Sequence, residues 1–311
     1  MKNTLHTIND LALNNPKELV DRAERHYERE LAKVASMISD NNDIKIVALA
    51  GPSASGKTTT AHILCEKLNA LGEKTEIVSL DDFYLPIDKL PILEDGTKDI
   101  ESVNALDIPL LNKCFNEIIK TGKTVLPKFK FSTKTRITEA REIDVSCKGI
   151  AVVEGLHALN PLITDLVPRK NIFKAYISVN RGIENDDGSK LLSSKQIRLA
   201  RRVLRDRTFR GTPVNETLSL WQGVVEGEER YLYCFKDTAD VQIKTLHIYE
   251  PCLYRDELLK LTAEVKDETP FKGYFLKTAK ALERFVPIDI SLLPPDSLIT
   301  EFLGNGKYQL S

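Results

Sequence analysis

A short stretch near residue 50 combines residue types that can hold a polyphosphate. The apolar run 44–50 ends at a glycine, and the sequence Gly-Pro-Ser-Ala-Ser-Gly-Lys-Thr-Thr fills positions 51–59. This spacing fits the pattern G-x-x-x-x-G-K-[ST], in which glycines let consecutive backbone N–H groups approach phosphate oxygens. Lysine 57 adds a cation, and a threonine hydroxyl is a ligand that Mg²⁺ accepts. The residues predicted to surround the phosphates of a nucleotide are Gly51, Ser53, Ala54, Ser55, Gly56, Lys57, Thr58 and Thr59.

Two acidic positions at the ends of strand-like runs could act together with this loop. Asp81 and Tyr84 follow the run 76–80, and Glu154 ends the run 149–154. Acidic residues at the carboxyl ends of parallel strands point into the crevice where ligands bind. Asp81 can take the proton of a substrate hydroxyl or hold Mg²⁺ through water, while Glu154 can contact Mg²⁺ or the acceptor. Tyr84 offers the acceptor a ring and a hydroxyl. The alternative for both segments is a set of acids that only face solvent.

Residues 198–210 form a basic segment with helical spacing. Its arginines recur at intervals of three and four, which places them on one face of a helix. Arginine suits bidentate contacts with phosphate. The pattern predicts a lid over a transferred phosphoryl group, and a solvated helix face or a nucleic-acid contact are the alternatives.

Residues 127–136 alternate aromatic and basic side chains. Phe129, Lys134 and Arg136 lie in this segment, which has the pattern of a small β-hairpin. Aromatic faces beside cations suit a planar, polar acceptor such as a nucleobase. The alternative is an ordinary hairpin whose basic side chains only face solvent.

The composition limits the class of protein. The 311 residues carry 44 basic and 45 acidic side chains, and this balance argues against nucleic acid as the main partner. The cysteines are scattered and form no C-x-x-C pair, which argues against a disulfide framework or a zinc site. The sequence shows no apolar signal segment and no apolar run long enough to cross a membrane. We therefore expect a cytoplasmic protein without membrane contact.

Strand-like and helix-like segments alternate along residues 44–248. This alternation predicts an α/β protein with a doubly wound, mostly parallel sheet, a small β insertion and a helical C-terminal extension. Residues 1–43 are predicted to be a helical extension with one helix over 16–38, and residues 249–311 a mostly helical extension packed on the core. The predicted lid spans about 190–212. The strands are expected at 44–50, 76–80, 149–154, 172–178 and 239–244, and the core helices at 57–71, 108–121 and 190–206.

Together these motifs resemble the uridine kinase/phosphoribulokinase family of P-loop kinases. The stretches that carry the resemblance stand in the family's order and spacing at 51–59, 81–84, 127–136, 153–155 and 198–211. Segments 94–102, 154–161 and 293–303 are similar to the kinase half of bacterial uridine kinase-like nucleoside kinases, many of which carry an N-terminal TGS module. No stretch of TGS length precedes the loop, so we expect a stand-alone version with the P-loop NTPase fold.

The resemblance implies transfer of the γ-phosphate of ATP, with Mg²⁺, to the 5′-hydroxyl of a ribonucleoside. Asp81 takes the family's general-base position, and Glu101 stands where uridine kinases usually have an Asp that holds the ribose hydroxyls. Arg136 matches a substrate-contacting arginine. The positions expected to be catalytic are Asp81, Lys57, Arg205 and Arg210. Arg201 is expected to bind the nucleotide as part of the lid. The positions expected to hold the metal are Thr58, Asp81 and Glu154, and those expected to hold the acceptor are Asp81, Tyr84, Glu101, Phe129, Lys134, Arg136 and Glu154.

The hairpin departs from the uridine kinase pattern at two positions. That pattern is Tyr-Asp-Phe with a His three positions after the Phe, whereas this chain has Phe129-Lys130-Phe131 and then Lys134. The family's Tyr and His contact the pyrimidine, so the choice of base stays open, and Lys134 could favour an anionic or non-nucleoside acceptor. One alternative is thus a kinase for another small hydroxylated acceptor, such as a sugar, polyol or vitamin. The other is a nucleotide-binding regulatory protein that contacts RNA. The apolar stripe of the tail 255–285 suits either packing on the core or a homo-oligomer contact.

Overall fold

A β-sheet forms the centre of the computed structural model, which describes residues 3–93, 96–130, 133, 135–146 and 149–308, the side chains of 138–140 excepted. The described residues form the strands β1 (Ile46–Ala50), β2 (Lys74–Ser79), β3 (Lys123–Lys130), β4 (Thr135–Asp144), β5 (Gly149–Glu154), β6 (Ile172–Ser178), β7 (Ile183–Glu184), β8 (Lys190–Leu192) and β9 (Val241–Lys244). Their α-helices are α1 (Leu5–Asn14), α2 (Pro16–Ser39), α3 (Lys57–Ala70), α4 (Ile108–Thr121), α5 (Pro161–Thr164), α6 (Ser194–Arg210), α7 (Val214–Tyr231), α8 (Glu250–Leu261), α9 (Lys272–Leu282) and α10 (Thr300–Leu303).

The central sheet has the order β2-β5-β1-β6-β9 within the described ranges, and each neighbouring pair is parallel. The chain winds from β1 outward in both directions, so the strand order reverses beside β1. The predicted class, α/β with a doubly wound sheet, is confirmed. The strands β3 and β4 form a separate antiparallel hairpin, which is the predicted β insertion. A second small hairpin, β7–β8, was not predicted.

The strand register brings the predicted site residues to one edge of the sheet. Leu49 of β1 and Ser79 of β2 both lie opposite Glu154, the last residue of β5. Because parallel strands end at the same edge, the segments that follow β1 and β2 begin beside Glu154. These segments are the phosphate loop and the turn that carries Asp81.

The sheet is buried on both faces, as its apolar strands require. Every residue of β1 and β5 is buried, which is the pattern of parallel strands covered by helices on each side. One apolar cluster joins α2, α3, α6 and α8, with Leu31, Leu64 and Tyr254 among its members. The other joins α4 and α5 to the opposite face, with Phe115 and Ile163 among its members.

The helix α4 shows how local sequence sets the bounds of an element. Its predicted range is confirmed at both ends. Asp107 caps the first turn by accepting the N–H of Leu110 at 3.1 Å, and such caps satisfy backbone donors that the helix leaves open. At the other end Gly122 adopts a φ of 72°, the left-handed conformation in which glycine ends a helix.

Other predicted bounds were wrong. The N-terminal segment contains two helices rather than one, because Asn15 ends α1 and its side chain then caps α2. Residues 190–206 are not a single helix: β8 comes first, and α6 begins after Ser193. A reciprocal pair of hydrogen bonds between Ser193 and Gln196, a capping box, fixes that start. The helix α7 was not predicted.

The terminal helices pack on the same apolar core as the sheet. Leu19 of α2, Phe275 of α9 and Phe302 of α10 are buried members of the cluster that covers α3. The predicted division into an N-terminal extension, a core and a C-terminal extension stays a prediction. Among the described residues, no helix is long and apolar enough to span a bilayer.

Candidate active site

The phosphate loop needs glycine at two positions. A Cβ at Gly51 would lie 2.5 Å from the carbonyl oxygen of Ile177, and a Cβ at Gly56 would lie 2.5 Å from a methyl carbon of Leu298. Gly56 also has a φ of +89°, which other residues rarely adopt. The loop therefore lies tightly between the sheet and the C-terminal segment, and its backbone is free to turn into α3.

The start of α3 offers a backbone cradle for an anion. The N–H groups of Gly56, Lys57 and Thr58 bond to no acceptor in the described part of the chain. The hydroxyl of Ser55 is buried and has no partner there either. Consecutive free N–H groups at a helix N-terminus are the arrangement that binds phosphate. These residues fit the polyphosphate that the sequence predicts.

Protein groups hold two residues of the predicted loop. The N–H of Ser53 donates to Glu228 at 2.8 Å, and its carbonyl and hydroxyl oxygens accept from Arg198 and Arg202 at 3.0 and 2.8 Å, so its contact with a nucleotide stays a prediction. The N–H of Thr59 donates to a carboxylate of the C-terminal segment at 3.2 Å, and its predicted contact with a nucleotide stays a prediction as well. Both residues are held by protein groups, so the open part of the cradle is the stretch around Gly56.

The carboxylates of Asp81 and Glu154 lie beside Lys57 at the sheet edge. Ser79 donates its hydroxyl hydrogen to Glu154 at 2.7 Å. Burial, followed by the nearby charge of Asp81, raises the pKa of Glu154 to about 7. Burial also raises the pKa of Asp81, and the cation of Lys57 opposes that rise. Two acids with raised pKa values next to a phosphate cradle can take up a proton or hold a cation.

Three arginines in the C-terminal part of α6 surround one acid that the sequence prediction overlooked. The carboxylate of Asp206 is buried and accepts from Arg205 at 3.2 Å and from Arg210 at 3.1 Å. A nitrogen of Arg202 lies 3.4 Å from the same carboxylate. One negative charge cannot neutralise three guanidinium groups. The excess positive charge of Arg205 and Arg210 is felt at Asp81, where both lower the carboxyl pKa.

The structure contradicts the prediction that Arg201 belongs to a nucleotide-facing lid. Its side chain is fully buried and forms a two-point ion pair with Glu250 at 2.7 and 2.9 Å. Its other N–H groups donate to the carbonyls of Thr245, at 2.6 Å, and of Ala54 and Ser55, both at 3.3 Å. All five guanidinium hydrogens thus have acceptors. Arg201 therefore holds the phosphate loop in place through the carbonyls of Ala54 and Ser55.

The β3–β4 hairpin meets the turn that follows β2. The ring of Phe129 lies 5.8 Å from that of Tyr84, and its N–H donates to Asp82 at 3.3 Å. Arg136 donates two hydrogen bonds of 3.1 Å to Asp107 and one of 3.4 Å to the Tyr84 carbonyl. Arg136 thereby fixes the hairpin to the base of α4, and its contact with substrate stays a prediction. The predicted acceptor contact at position 134 lies outside the described residues.

The predicted Glu101 has acidic neighbours that the sequence did not single out. Its side chain packs on α7 at Gly227, where a Cβ would lie 2.8 Å from that of Glu101. Burial raises the pKa of Glu101 to about 7, and Arg202 opposes the rise. Nearby, Tyr231 donates its hydroxyl hydrogen to Asp99 at 2.8 Å. Asp99, Glu101 and Tyr231 form one wall of the cleft beside the phosphate loop, and the two carboxyl groups offer oxygen acceptors for hydroxyl groups.

His157 is a further buried residue at this wall. Its ring lies 5.8 Å from Tyr231 in an edge-on arrangement. Burial lowers its pKa to about 4, so the imidazole is neutral near pH 7. A neutral imidazole can both donate and accept one hydrogen bond. The segment 154–161 pointed to this region, but no pattern within it marked the histidine.

The C-terminal segment reaches the phosphate loop from 242 residues away. Glu301 is buried, and its carboxylate accepts the N–H of Thr59 at 3.2 Å. Tyr27 of α2 completes this side through a 2.6 Å hydrogen bond with Thr60. Both terminal extensions therefore contact the first turn of α3. No spacing in the sequence could indicate contacts over such separations.

The fold and the site together define a P-loop phosphotransferase with a hydroxyl group as acceptor. The sequence model of the Phosphoribulokinase / Uridine kinase family matches residues 46–179, and the predicted resemblance to that family is confirmed. The uridine kinase of Lactobacillus helveticus is 29% identical over 182 residues, which cover 58% of this chain and 76% of the relative. The uridine kinase of Ligilactobacillus salivarius is 26% identical over 191 residues, covering 61% and 79%.

A solved structure adds a likeness at low identity. D-glycerate 3-kinase from Cryptococcus neoformans is 13% identical, with a TM-score of 0.48 over 67% of this chain and 89% of that one.

Proposed function

We propose that this protein transfers the γ-phosphate of ATP to the 5′-hydroxyl of a ribonucleoside of the uridine or cytidine kind. The observation that carries the proposal is the position of Asp81. It follows a parallel strand, lies beside Lys57 and Glu154, and feels the cations of Arg205 and Arg210. A base between a phosphate cradle and a group of cations is what phosphoryl transfer to a hydroxyl requires. The names of the matching relatives support the nucleoside as acceptor.

The donor site is assigned to the loop and the start of α3. The N–H groups of Gly56, Lys57 and Thr58 hold the β- and γ-phosphates, and the ammonium of Lys57 adds a point charge. Thr58, Glu154 and Asp81 are the residues that would hold Mg²⁺. That ion, when bound, neutralises charge on the phosphates. Ser53 and Thr59 keep the loop in shape through their protein contacts.

Asp81 acts on the acceptor. Its carboxylate accepts the proton of the acceptor hydroxyl as that oxygen attacks the γ-phosphorus and the bond to the β-phosphate oxygen breaks. Arg205 and Arg210 stabilise the charge that develops on the transferred group. Glu101 and Asp99 accept hydrogen bonds from further acceptor hydroxyls, and the rings of Tyr84 and Phe129 offer a face to the base.

A second acceptor class has its own support. The wall formed by Asp99, Glu101 and Tyr231 offers carboxylate oxygens that suit the hydroxyl groups of a sugar or polyol. The hairpin that would read the base departs from the uridine kinase pattern. A kinase for a sugar, polyol or vitamin would use the same Asp81 chemistry.

An acceptor screen tests the proposal. The protein is incubated with Mg²⁺, ATP and a mixture of nucleosides, sugars and polyols, and mass spectrometry detects which compound gains one phosphoryl group. Phosphorylated uridine or cytidine is the expected product. A product from another compound would keep the mechanism and replace the acceptor. ATP binding without any phosphorylated product would favour the regulatory protein and overturn the proposal.

A further inference from the structure

A cavity of about 580 Å³ lies away from the catalytic groups, between α2 and the carboxyl ends of β6 and β9. Four segments that are distant in sequence build it: Asn3, residues 18–29 of α2, residues 180–181 after β6, and residues 244–248 around the end of β9. Its size lies in the range of small-molecule sites. The positively charged groups of this basic pocket are Arg22, Arg25, Arg29, Arg181 and Lys244.

The charge of the basic pocket is unbalanced. Five cationic side chains line it with a single carboxylate, that of Glu18, although the whole chain has a net charge of −1. Glu18 pairs with Arg22 at 2.5 Å and with Arg25 at 3.4 Å. Arg181 and Lys244 form no ion pair with any described residue. Cations held together in a concave surface attract an anion to that place.

The lining indicates the kind of anion. Arginine forks match phosphate oxygens in pairs, and lysine adds a point charge. A single-stranded nucleic acid would need an extended groove with aromatic side chains for stacking. Among the described residues that line this cavity, His26 is the sole aromatic one, so a compact anion fits better than a strand of RNA.

The basic pocket is connected to the phosphate loop by two short paths. Lys244 and Leu246 flank Thr245, whose carbonyl accepts a 2.6 Å hydrogen bond from Arg201. Arg201 in turn donates to loop carbonyls at 3.3 Å. On the other path, Ile177 of β6 lies against Gly51, three residues before Asn180 at the cavity. A ligand that draws these segments together would act on the loop.

We propose that the basic pocket binds a small molecule with two or more phosphate groups, at a second site coupled to the phosphate loop through Arg201. The phosphates can belong to a nucleotide or to an inorganic polyphosphate. Binding at this site does not depend on the identity of the acceptor.

Binding is tested with inorganic tripolyphosphate and isothermal titration calorimetry. The protein carries Lys57→Ala, which weakens the phosphate loop as a competing site. We expect the double variant Arg181→Ser/Lys244→Ser to weaken binding at least about tenfold, because each charge-assisted contact contributes that much or more. Both residues are exposed, so folding is unaffected. Lys33→Ser, an exposed lysine on α2 outside the cavity, is the matched control and should change nothing.

Further arms identify the source of the phosphates and test the coupling. Tighter binding of ADP than of tripolyphosphate assigns the site to nucleotides, and equal binding assigns it to inorganic polyphosphate. In the protein with Lys57 intact, tripolyphosphate should change the KM for ATP by more than competition at the phosphate loop alone gives, and the double variant should reduce the change to that competition without altering basal activity. Tripolyphosphate binding that is absent, or insensitive to the double variant, overturns the proposal. So does a single-stranded RNA that binds tightly here when tripolyphosphate does not.

Discussion

The two halves of α6 carry the same residue type and use it differently. In the first half, Arg198 and Arg201 are buried and paired one-to-one with Glu228 and Glu250. In the second half, Arg205 and Arg210 share the carboxylate of Asp206 with a third arginine. The side chain of Arg201 is 0% exposed, whereas that of Arg210 is 56% exposed.

The difference shows that partners, and not residue type, decide what an arginine does. A guanidinium whose hydrogens all have acceptors inside the protein is structural, because leaving that place would expose a buried carboxylate without a partner. Arginines that compete for one carboxylate keep free donors and net charge for a ligand. The first half of α6 therefore supports the loop, and the second half keeps the charge that the proposed function assigns to the phosphates.

The largest effect is expected from breaking the buried pair. Glu250→Ala leaves Arg201 charged and unpaired in the core, which should lower the free energy of unfolding by about 3–5 kcal/mol. Urea denaturation measures this change. The matched control is Glu264→Ala. It removes the exposed partner of Arg207, another arginine of α6, and should lower the free energy of unfolding by no more than about 1 kcal/mol. Equal losses in both variants would show that the buried pair does not support the structure.

Removing a cleft arginine should separate activity from stability. Arg205→Ala should lower kcat by about 10²-fold, the usual cost of losing a preorganised cation at the transferred group. The unfolding free energy should fall by less than it does in Glu250→Ala, since the buried carboxylate of Asp206 keeps Arg202 and Arg210 as partners. Arg207→Ala, an exposed arginine paired with Glu264, is the control and should keep full activity. A normal kcat for Arg205→Ala would remove this residue from catalysis.

A smaller, pH-dependent effect is expected at the sheet edge. The folded-state pKa of Glu154 is raised to about 7, above its value near 4.3 in an unfolded chain. The buried carboxyl group is protonated at pH 4, where it does not destabilise the fold. As the pH rises from 4 to 7 its ionisation increasingly lowers the free energy of unfolding, and above pH 7 the loss is complete. Glu154→Gln, which can still accept from Ser79, should raise the Tm at pH 8 and leave it unchanged near pH 4, while activity falls. A Tm gain independent of pH would contradict the burial of this charge.

The sequence predicted the groups whose roles are set locally. The pattern 51–59 predicted the loop and the start of α3, and the rule for acids at strand ends predicted that Asp81 and Glu154 would point into the crevice beside that loop. The helix α4 was predicted at both ends because Asp107 and Gly122 act on their own turns. These features depend on neighbours a few residues away or on the general geometry of parallel sheets.

The errors came from partners distant in the chain. Arg201 was assigned to the lid because the sequence could not show that Glu250 and Thr245, more than 40 residues later, would enclose it. The contact between Glu301 and Thr59 spans 242 residues and could not be predicted. Asp206 lies among the arginines in the sequence, and its role appears only when the helix turns them toward one point.

The central claim is that Asp81 takes a proton from an acceptor hydroxyl beside a phosphate loop. The most direct test is the single-turnover rate of Asp81→Asn with the acceptor from the screen, alongside its affinity for ATP. The claim predicts a rate at least about 10²-fold lower with ATP affinity preserved. A folded Asp81→Asn protein with near-normal turnover would contradict it.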